Sequence, residues 1–185
     1  MIETELGQLR RSHYSNDLNA SMDGTQVTVM GWVLTVRGHG NISFATVRDK
    51  NGELSIVAKK GDCPDEIREK ISSLKAHSSI GGTGTIKASE KAPSGFEIIP
   101  TELRVFSEVT TIPPYEPTAK TVKNIDTRLE VRPIDLRRNI LQHVFKTRSL
   151  VLKTIRDYFN DQNFVEINTP KMIATATEGG AALFP

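Results

Sequence analysis

Two patterns of apolar residues divide this chain. Up to about residue 108, short runs of β-branched and aromatic residues alternate with turn residues, which is typical of strands. The first run, 26–36, is too long for a flat strand, and Gly31 inside it indicates a bulge or a bend. Further strands are predicted at 42–48, 53–58 and 79–89, and a fifth, broken strand at 96–99 and 103–106.

A short helix is predicted at 65–74, between the third and fourth strands. Pro64 stands at its start, and Ile67, Ile71 and Leu74 share one face. Three strands, a helix and two strands within about a hundred residues is the order of an OB-fold, a small five-stranded barrel that commonly binds oligonucleotides. Residues 1–108 are therefore predicted to form a mainly β OB-fold domain.

A different pattern begins after this domain. Prolines and charged residues dominate 109–135, which predicts a semi-rigid linker. Apolar residues then recur at helical spacing from Leu136 to Phe159, which predicts one long amphipathic helix that ends near Gln162. A strand-like run at 164–167 follows, closing on Pro170. We expect 136–185 to begin a second, α/β domain.

Composition and charge narrow the possibilities. With 37% hydrophobic and 25% charged residues the chain is globular, and a net charge of +2 means that any nucleic-acid affinity must come from a local basic face. The single cysteine, Cys63, has no partner for a disulfide or a tetrahedral metal site. No export signal or membrane span is evident, so we expect a cytoplasmic protein.

Phe44 is the candidate for nucleic-acid contact. It lies in the middle of a predicted strand, with Arg37 and Arg48 nearby, and aromatic rings on strands can stack on unpaired bases. Spacing alone favours the other interpretation, in which Phe44 is a core residue and the arginines are solvated. The glycines at 81, 82 and 84 open no helix, so close backbone packing is expected rather than a phosphate cradle.

Several of these residues form a recognisable set: Gly31-Trp32-Val33, Arg37, Phe44, Val47-Arg48-Asp49, Gly52 and Gly95-Phe96-Glu97-Ile98. The set resembles the N-terminal anticodon-binding domain of aspartyl-tRNA synthetases, in the archaeal and eukaryotic branch that includes asparaginyl relatives. The resemblance implies that Phe44 stacks on the middle uracil of the anticodon. It also implies that Arg37 and Glu97 contribute to reading the anticodon.

Two departures from this family pattern bear on recognition. Arg37 is followed by Gly38, where the family usually has aspartate, and Ser55 stands where a glutamine is expected to pair with the middle uracil. A serine hydroxyl cannot reproduce the donor-and-acceptor pair of an amide. Anticodon discrimination is therefore expected to be weaker, or partly delegated to another residue.

The resemblance extends to the end of the chain. Residues 125–132 and 135–137 are similar to the family's hinge, and the helix, strand and Pro170 to the first class II motif, which implies a homodimer through 136–170. Residues 176–185 resemble the loop over the amino-acid pocket, where Glu178 would sense the substrate α-ammonium; a disordered tail is the alternative.

The implied function is the tRNA-binding front part of an aspartate–tRNA ligase. The full enzyme would use ATP and Mg²⁺ to attach aspartate to tRNA. The second and third class II motifs do not occur in these 185 residues, so we expect a truncated chain, without a cofactor, that binds tRNA and does not aminoacylate. Three alternatives remain: a free-standing OB-fold module that binds tRNA or other RNA, part of an asparaginyl-type synthetase, and a dimerising interaction protein that uses its uncovered helix.

Overall fold

The computed structural model describes residues 6–170, apart from residues 112, 115, 117, 118 and 120. The described residues up to 111 form one compact unit, and those from 113 onward form another. The first unit contains β1 (Gln26–His39), β2 (Ile42–Arg48), β3 (Glu53–Lys59), α1 (Asp65–Ser73), β4 (Ser79–Ala88) and β5 (Phe96–Ser107). Every predicted element of this unit is present, with ends that differ by at most a few residues.

The five strands make one closed sheet. Their order is β1-β2-β3-β5-β4, and β4 returns to pair with β1. All the pairs are antiparallel except β3 with β5, which meet in parallel at Ile56 and Ile98. The mainly β fold with OB-type strand order is as predicted from the sequence.

The core lies inside the closed sheet. Alternate residues point inward, and α1 adds Ile67 and Ile71, of which Ile71 is completely buried. Burial of one such side chain stabilises the fold by about 1.5–3 kcal/mol. The main members of the core are Val27, Val29, Val33, Ala45, Val47, Leu54, Ile56, Ile80, Ile86, Phe96 and Ile98.

The glycines of β4 allow close packing, as expected. A Cβ atom placed on Gly81 would lie 2.6 Å from the Phe106 ring, and one on Gly84 would overlap the carbonyl oxygen of Ile99. Gly31 of β1 has a similar role, since its Cβ would overlap the carbonyl oxygen of Arg48 on β2. These positions let neighbouring backbones approach more closely than any side chain would permit.

The β2–β3 turn is tied to the segment before β1 through Asp49. Its carboxylate accepts hydrogen bonds from the backbone N–H (2.7 Å) and hydroxyl (2.7 Å) of Ser15. It also accepts from the N–H groups of Asn51 (2.8 Å) and Gly52 (3.0 Å). Burial alone would raise the pKa of Asp49, but these hydrogen bonds together lower that pKa below its ordinary value.

The second unit is helical. It contains α2 (Ile125–Glu130), α3 (Arg132–Asp135) and α4 (Asn139–Asp161). Two short helices therefore lie inside the stretch 109–135 that composition predicts to be a linker. They are held by Asp135, which is completely buried and accepts hydrogen bonds from Arg128 (3.0 and 3.3 Å) and Arg132.

The long helix begins three residues later than predicted and ends at Asp161, next to the expected stop at Gln162. None of its residues is buried. The run 164–167 is not a strand, because no described segment pairs with it. Within the described residues, no helix combines the length and apolar character needed to cross a membrane.

Candidate nucleic-acid interface

A bulge in β1 determines which side chains lie on the outer face of the sheet. Val33 pairs with Val47 and both are buried, but the next pair is Thr35 with Thr46, so Leu34 is an extra residue. In a regular strand that contained all of these residues and no bulge, residues 33, 35 and 37 would share one face, because side chains alternate along a strand. The bulge reverses this alternation. Val36 then packs against the core, and Arg37 points outward.

Phe44 belongs to the same outer face. Its neighbours in β2, Ser43 and Ala45, are buried, whereas Phe44 is partly exposed and pairs with Arg37 across the β1–β2 ladder. The core position that spacing alone favours is therefore wrong. A partly exposed aromatic ring beside an arginine is the arrangement used to stack on an unpaired base.

Two grooves meet at Phe44. The first, which we call the Arg37 groove, has a volume of about 730 Å³ and is lined by Arg37, Phe44 and Ser55, with Thr35, His39, Thr46, Pro93 and Ser94 around them. The second, the lysine groove, has a volume of about 450 Å³ and contains Glu97 together with Lys59, Lys87 and Lys91. Because Phe44 lines both, its ring stands at the boundary between them.

The structure thus brings the four sequence-predicted anticodon residues to one surface. Arg37, Phe44 and Ser55 share the first groove, and Glu97 shares the second with Phe44. Ser55 is placed by its pairing with Thr46 and is partly exposed. Glu97 is likewise partly exposed and lies opposite Lys87 in the β4–β5 ladder.

Arg48 does not join this surface. It is only 8% exposed and forms an ion pair with Glu53 across the β2–β3 hairpin. Its guanidinium therefore contributes to the hairpin, and the expectation that Arg48 is solvated is wrong. His39, by contrast, is exposed and lines the Arg37 groove.

Sequence reasoning missed several lining residues. Thr46 could have been found, because it lies two residues after Phe44 and so on the same face. The three lysines of the second groove could not, because they come from β3, from β4 and from the β4–β5 turn. Only the closed sheet brings them together.

Two further site residues are predicted in the last part of the sequence, Pro170 and Glu178. Pro170 is exposed at the end of the described part of the chain, and its place in a dimer interface stays a prediction. Glu178 lies outside the described residues. Among the residues that are described, no group of three or more His, Cys, Asp or Glu side chains could hold a metal ion.

Comparison with known proteins finds a matching family for each of the two parts of the chain. Residues 27–106 match a family described as an OB-fold nucleic acid binding domain, and residues 124–185 match the class II tRNA synthetases of the D, K and N group. The aspartate–tRNA(Asp/Asn) ligase of Methanocaldococcus jannaschii is 46% identical over 95% of this chain and 40% of its own length. That of Methanothermobacter thermautotrophicus is 45% identical over 97% of this chain and 41% of its own length.

A solved structure agrees with these relatives. Asparaginyl-tRNA synthetase from Pyrococcus horikoshii, complexed with asparaginyl-adenylate, superposes with a TM-score of 0.84 at 27% identity, over 96% of this chain and 40% of that one. The chain spans about two fifths of the length of the curated relatives it matches. The chain thus carries an OB-fold nucleic acid binding domain, and from residue 124 the beginning of a class II catalytic domain similar to that of the aspartyl, lysyl and asparaginyl synthetases.

Proposed function

We propose that the closed sheet binds the anticodon loop of a tRNA and that Phe44 stacks on an unpaired base of that loop. The observation that carries this proposal is the position of Phe44. It is a partly exposed aromatic side chain between two grooves, on a strand whose adjacent residues are buried. A solvated phenylalanine has an unfavourable apolar surface, which stacking on a base would cover.

The groups beside Phe44 suit base recognition. Arg37 offers several N–H donors to base edges or phosphates, and the Glu97 carboxylate accepts hydrogen bonds from base amino or imino groups. Ser55, which also lines the Arg37 groove, supplies one hydroxyl. Discrimination of the middle base therefore rests more on stacking and on Arg37 than on a bidentate contact from β3.

We assign the chain to a protein that attaches aspartate to tRNA. Both the Methanocaldococcus and the Methanothermobacter relatives carry aspartate–tRNA(Asp/Asn) ligase as their name, which supports this assignment and leaves open whether tRNA(Asn) is also accepted. In this proposal ATP and Mg²⁺ serve the catalytic domain, of which these residues form only the beginning. The protein would be a cytoplasmic homodimer that associates through residues 136–170.

Binding of an anticodon stem-loop tests the proposal. The unaltered chain should prefer a stem-loop with the aspartate anticodon over one with its middle uracil replaced. Phe44→Ala should weaken binding by about 1–3 kcal/mol, or roughly 5- to 160-fold, because base–aromatic stacking is lost. Phe145→Ala, which removes an exposed aromatic ring from α4, is the matched control and should leave affinity unchanged.

Other results would point elsewhere. If both stem-loops bind equally and Phe44→Ala has no effect, the sheet is a general RNA-binding module that contacts only the backbone. A Phe44→Ala variant with the same loss for any single strand would indicate stacking without anticodon reading.

A further inference from the structure

The lysine groove has a feature that base stacking does not explain. Lys59 is at the end of β3, Lys87 near the end of β4, and Lys91 in the turn between β4 and β5. All three are exposed and line the same groove beside Phe44. Far apart in sequence, they converge because β3 and β4 both neighbour β5.

The turn that carries Lys91 is well defined. The N–H of Ser89 donates to the carbonyl of Gly95 (2.9 Å), and the N–H of Gly95 donates to that of Ala92 (2.9 Å). Gly95 has a φ of +78°, which glycine adopts without strain. The backbone of the turn therefore holds Lys91 at the rim of the groove.

The charges of these lysines are not neutralised within the described part of the chain. None of the three forms an ion pair with a described carboxylate. Two acidic residues, Asp62 and Glu97, also line the groove, so the lysines leave it with a net positive charge. Three lysines against two carboxylates give the groove a net charge of +1, out of +2 for the whole chain.

We propose that Lys59, Lys87 and Lys91 bind the phosphodiester backbone of the RNA strand whose base stacks on Phe44. The inference rests on the proposed function, since Phe44 sets where the strand enters the groove. Ammonium groups act as point charges toward phosphates, without the fork geometry that reads a base edge. These lysines would thus supply affinity and register, and leave base choice to the residues of the Arg37 groove and Glu97.

The salt dependence of binding tests this directly. For single strands, log K falls with log salt with a slope of about −0.7 for each phosphate neutralised. A variant with Lys59→Gln, Lys87→Gln and Lys91→Gln should therefore bind the aspartate stem-loop with a slope of log K against log salt that is less negative by about 2. Its preference for the uracil-containing loop should be unchanged, whereas Phe44→Ala should lower affinity without changing the slope.

The matched control makes the same change in net charge at lysines outside the groove linings. Lys70→Gln, Lys123→Gln and Lys146→Gln remove three exposed lysines that line neither groove. An equal fall in slope in the control overturns the proposal, because the effect would then come from overall charge. An unchanged slope in the groove variant overturns it too, and retained uracil preference there would leave the proposed function intact.

Three other outcomes also decide the matter. Loss of uracil preference in a folded groove variant would show that the lysines position the base, which contradicts a backbone-only role. If the unaltered chain shows no uracil preference but the groove variant still has the reduced slope, the proposed anticodon reading fails and the phosphate site stands. Absence of binding by the unaltered chain at low salt overturns both.

Discussion

At the scale of single residues, Asp49 connects the β2–β3 turn to the N-terminal segment. It is 5% exposed, and four hydrogen bonds reach its two carboxylate oxygens. Arg11 lies 3.9 Å away and adds a favourable charge. The charged form of Asp49 is therefore the form that the fold stabilises.

Replacement of Asp49 should reveal this stabilisation through its pH dependence. The folded-state pKa lies below the ordinary value of 3.8, so the contribution of Asp49 is complete above pH 3.8 and is lost as pH falls through the folded pKa. Asp49→Asn should lower the free energy of unfolding by about 2 kcal/mol at pH 7, because an amide cannot accept on both sides. Urea unfolding, followed by fluorescence of the sole tryptophan, Trp32, should show the gap between variant and parent shrinking at lower pH.

A difference in the free energy of unfolding between Asp49→Asn and the parent that does not change with pH would contradict this account. Asn51→Ala is a suitable control, since Asn51 is exposed and uses its backbone N–H to reach Asp49. That variant should keep the pH dependence of the parent.

At the scale of elements, β4 depends on the absence of side chains. Gly84→Ala should destabilise the first unit by about 1–3 kcal/mol, because the new methyl group would force β4 away from the Ile99 carbonyl. Gly38→Ala is the matched control within a strand, where the nearest atom, the Ile42 carbonyl oxygen, is 3.9 Å from the added Cβ. Denaturant midpoints should fall for Gly84→Ala and stay nearly constant for Gly38→Ala; similar shifts in both would show that strand separation is not the cause.

The strands themselves could be predicted from the sequence. Runs such as 42–48 and 53–58 carry both the residue types and the turn signals of strands, and the order of elements then indicates the fold. The two helices of 125–135 could not be predicted from composition. They depend on the burial of Asp135 by Arg128 and Arg132, a contact among three residues whose types are ordinarily solvated.

The candidate site was predictable only in part. Family resemblance identifies Arg37, Phe44, Ser55 and Glu97, and these residues do share one surface. Spacing alone favours a core position for Phe44, since apolar strand residues usually face the core. The sequence does not show which face of β2 is inside. Burial of Ser43 and Ala45 decides that question, and it depends on the packing of the whole closed sheet.

At the scale of the whole molecule, α4 presents an apolar stripe without cover in the described structure. Ile140, Val144, Val151 and Ile155 recur at helical spacing and are 48–60% exposed. A stripe of this kind marks an interaction surface. Self-association of the chain through α4 is therefore expected, in agreement with the proposed homodimer.

Two variants, each with one glutamate introduced into α4, test this expectation. Ile155→Glu places a charge in the stripe and should shift the chain toward monomer. Leu150→Glu is the matched control, because five residues place it about 140° away around the helix, and Leu150 is 63% exposed. Sedimentation over a range of concentrations should separate the two; a parent that stays monomeric at every concentration would contradict the expectation.

The extra residue at Leu34 has a consequence for sequence change in β1. Deletions are ordinarily tolerated less well in strands than in loops, but loss of Leu34 should be an exception. Loss of Leu34 would remove the bulge and leave Val33 paired with Val47 and Arg37 with Phe44, so Val36 would keep its inward position and Arg37 its outward one. Leu34 is therefore one residue more than the register of β1 with β2 requires.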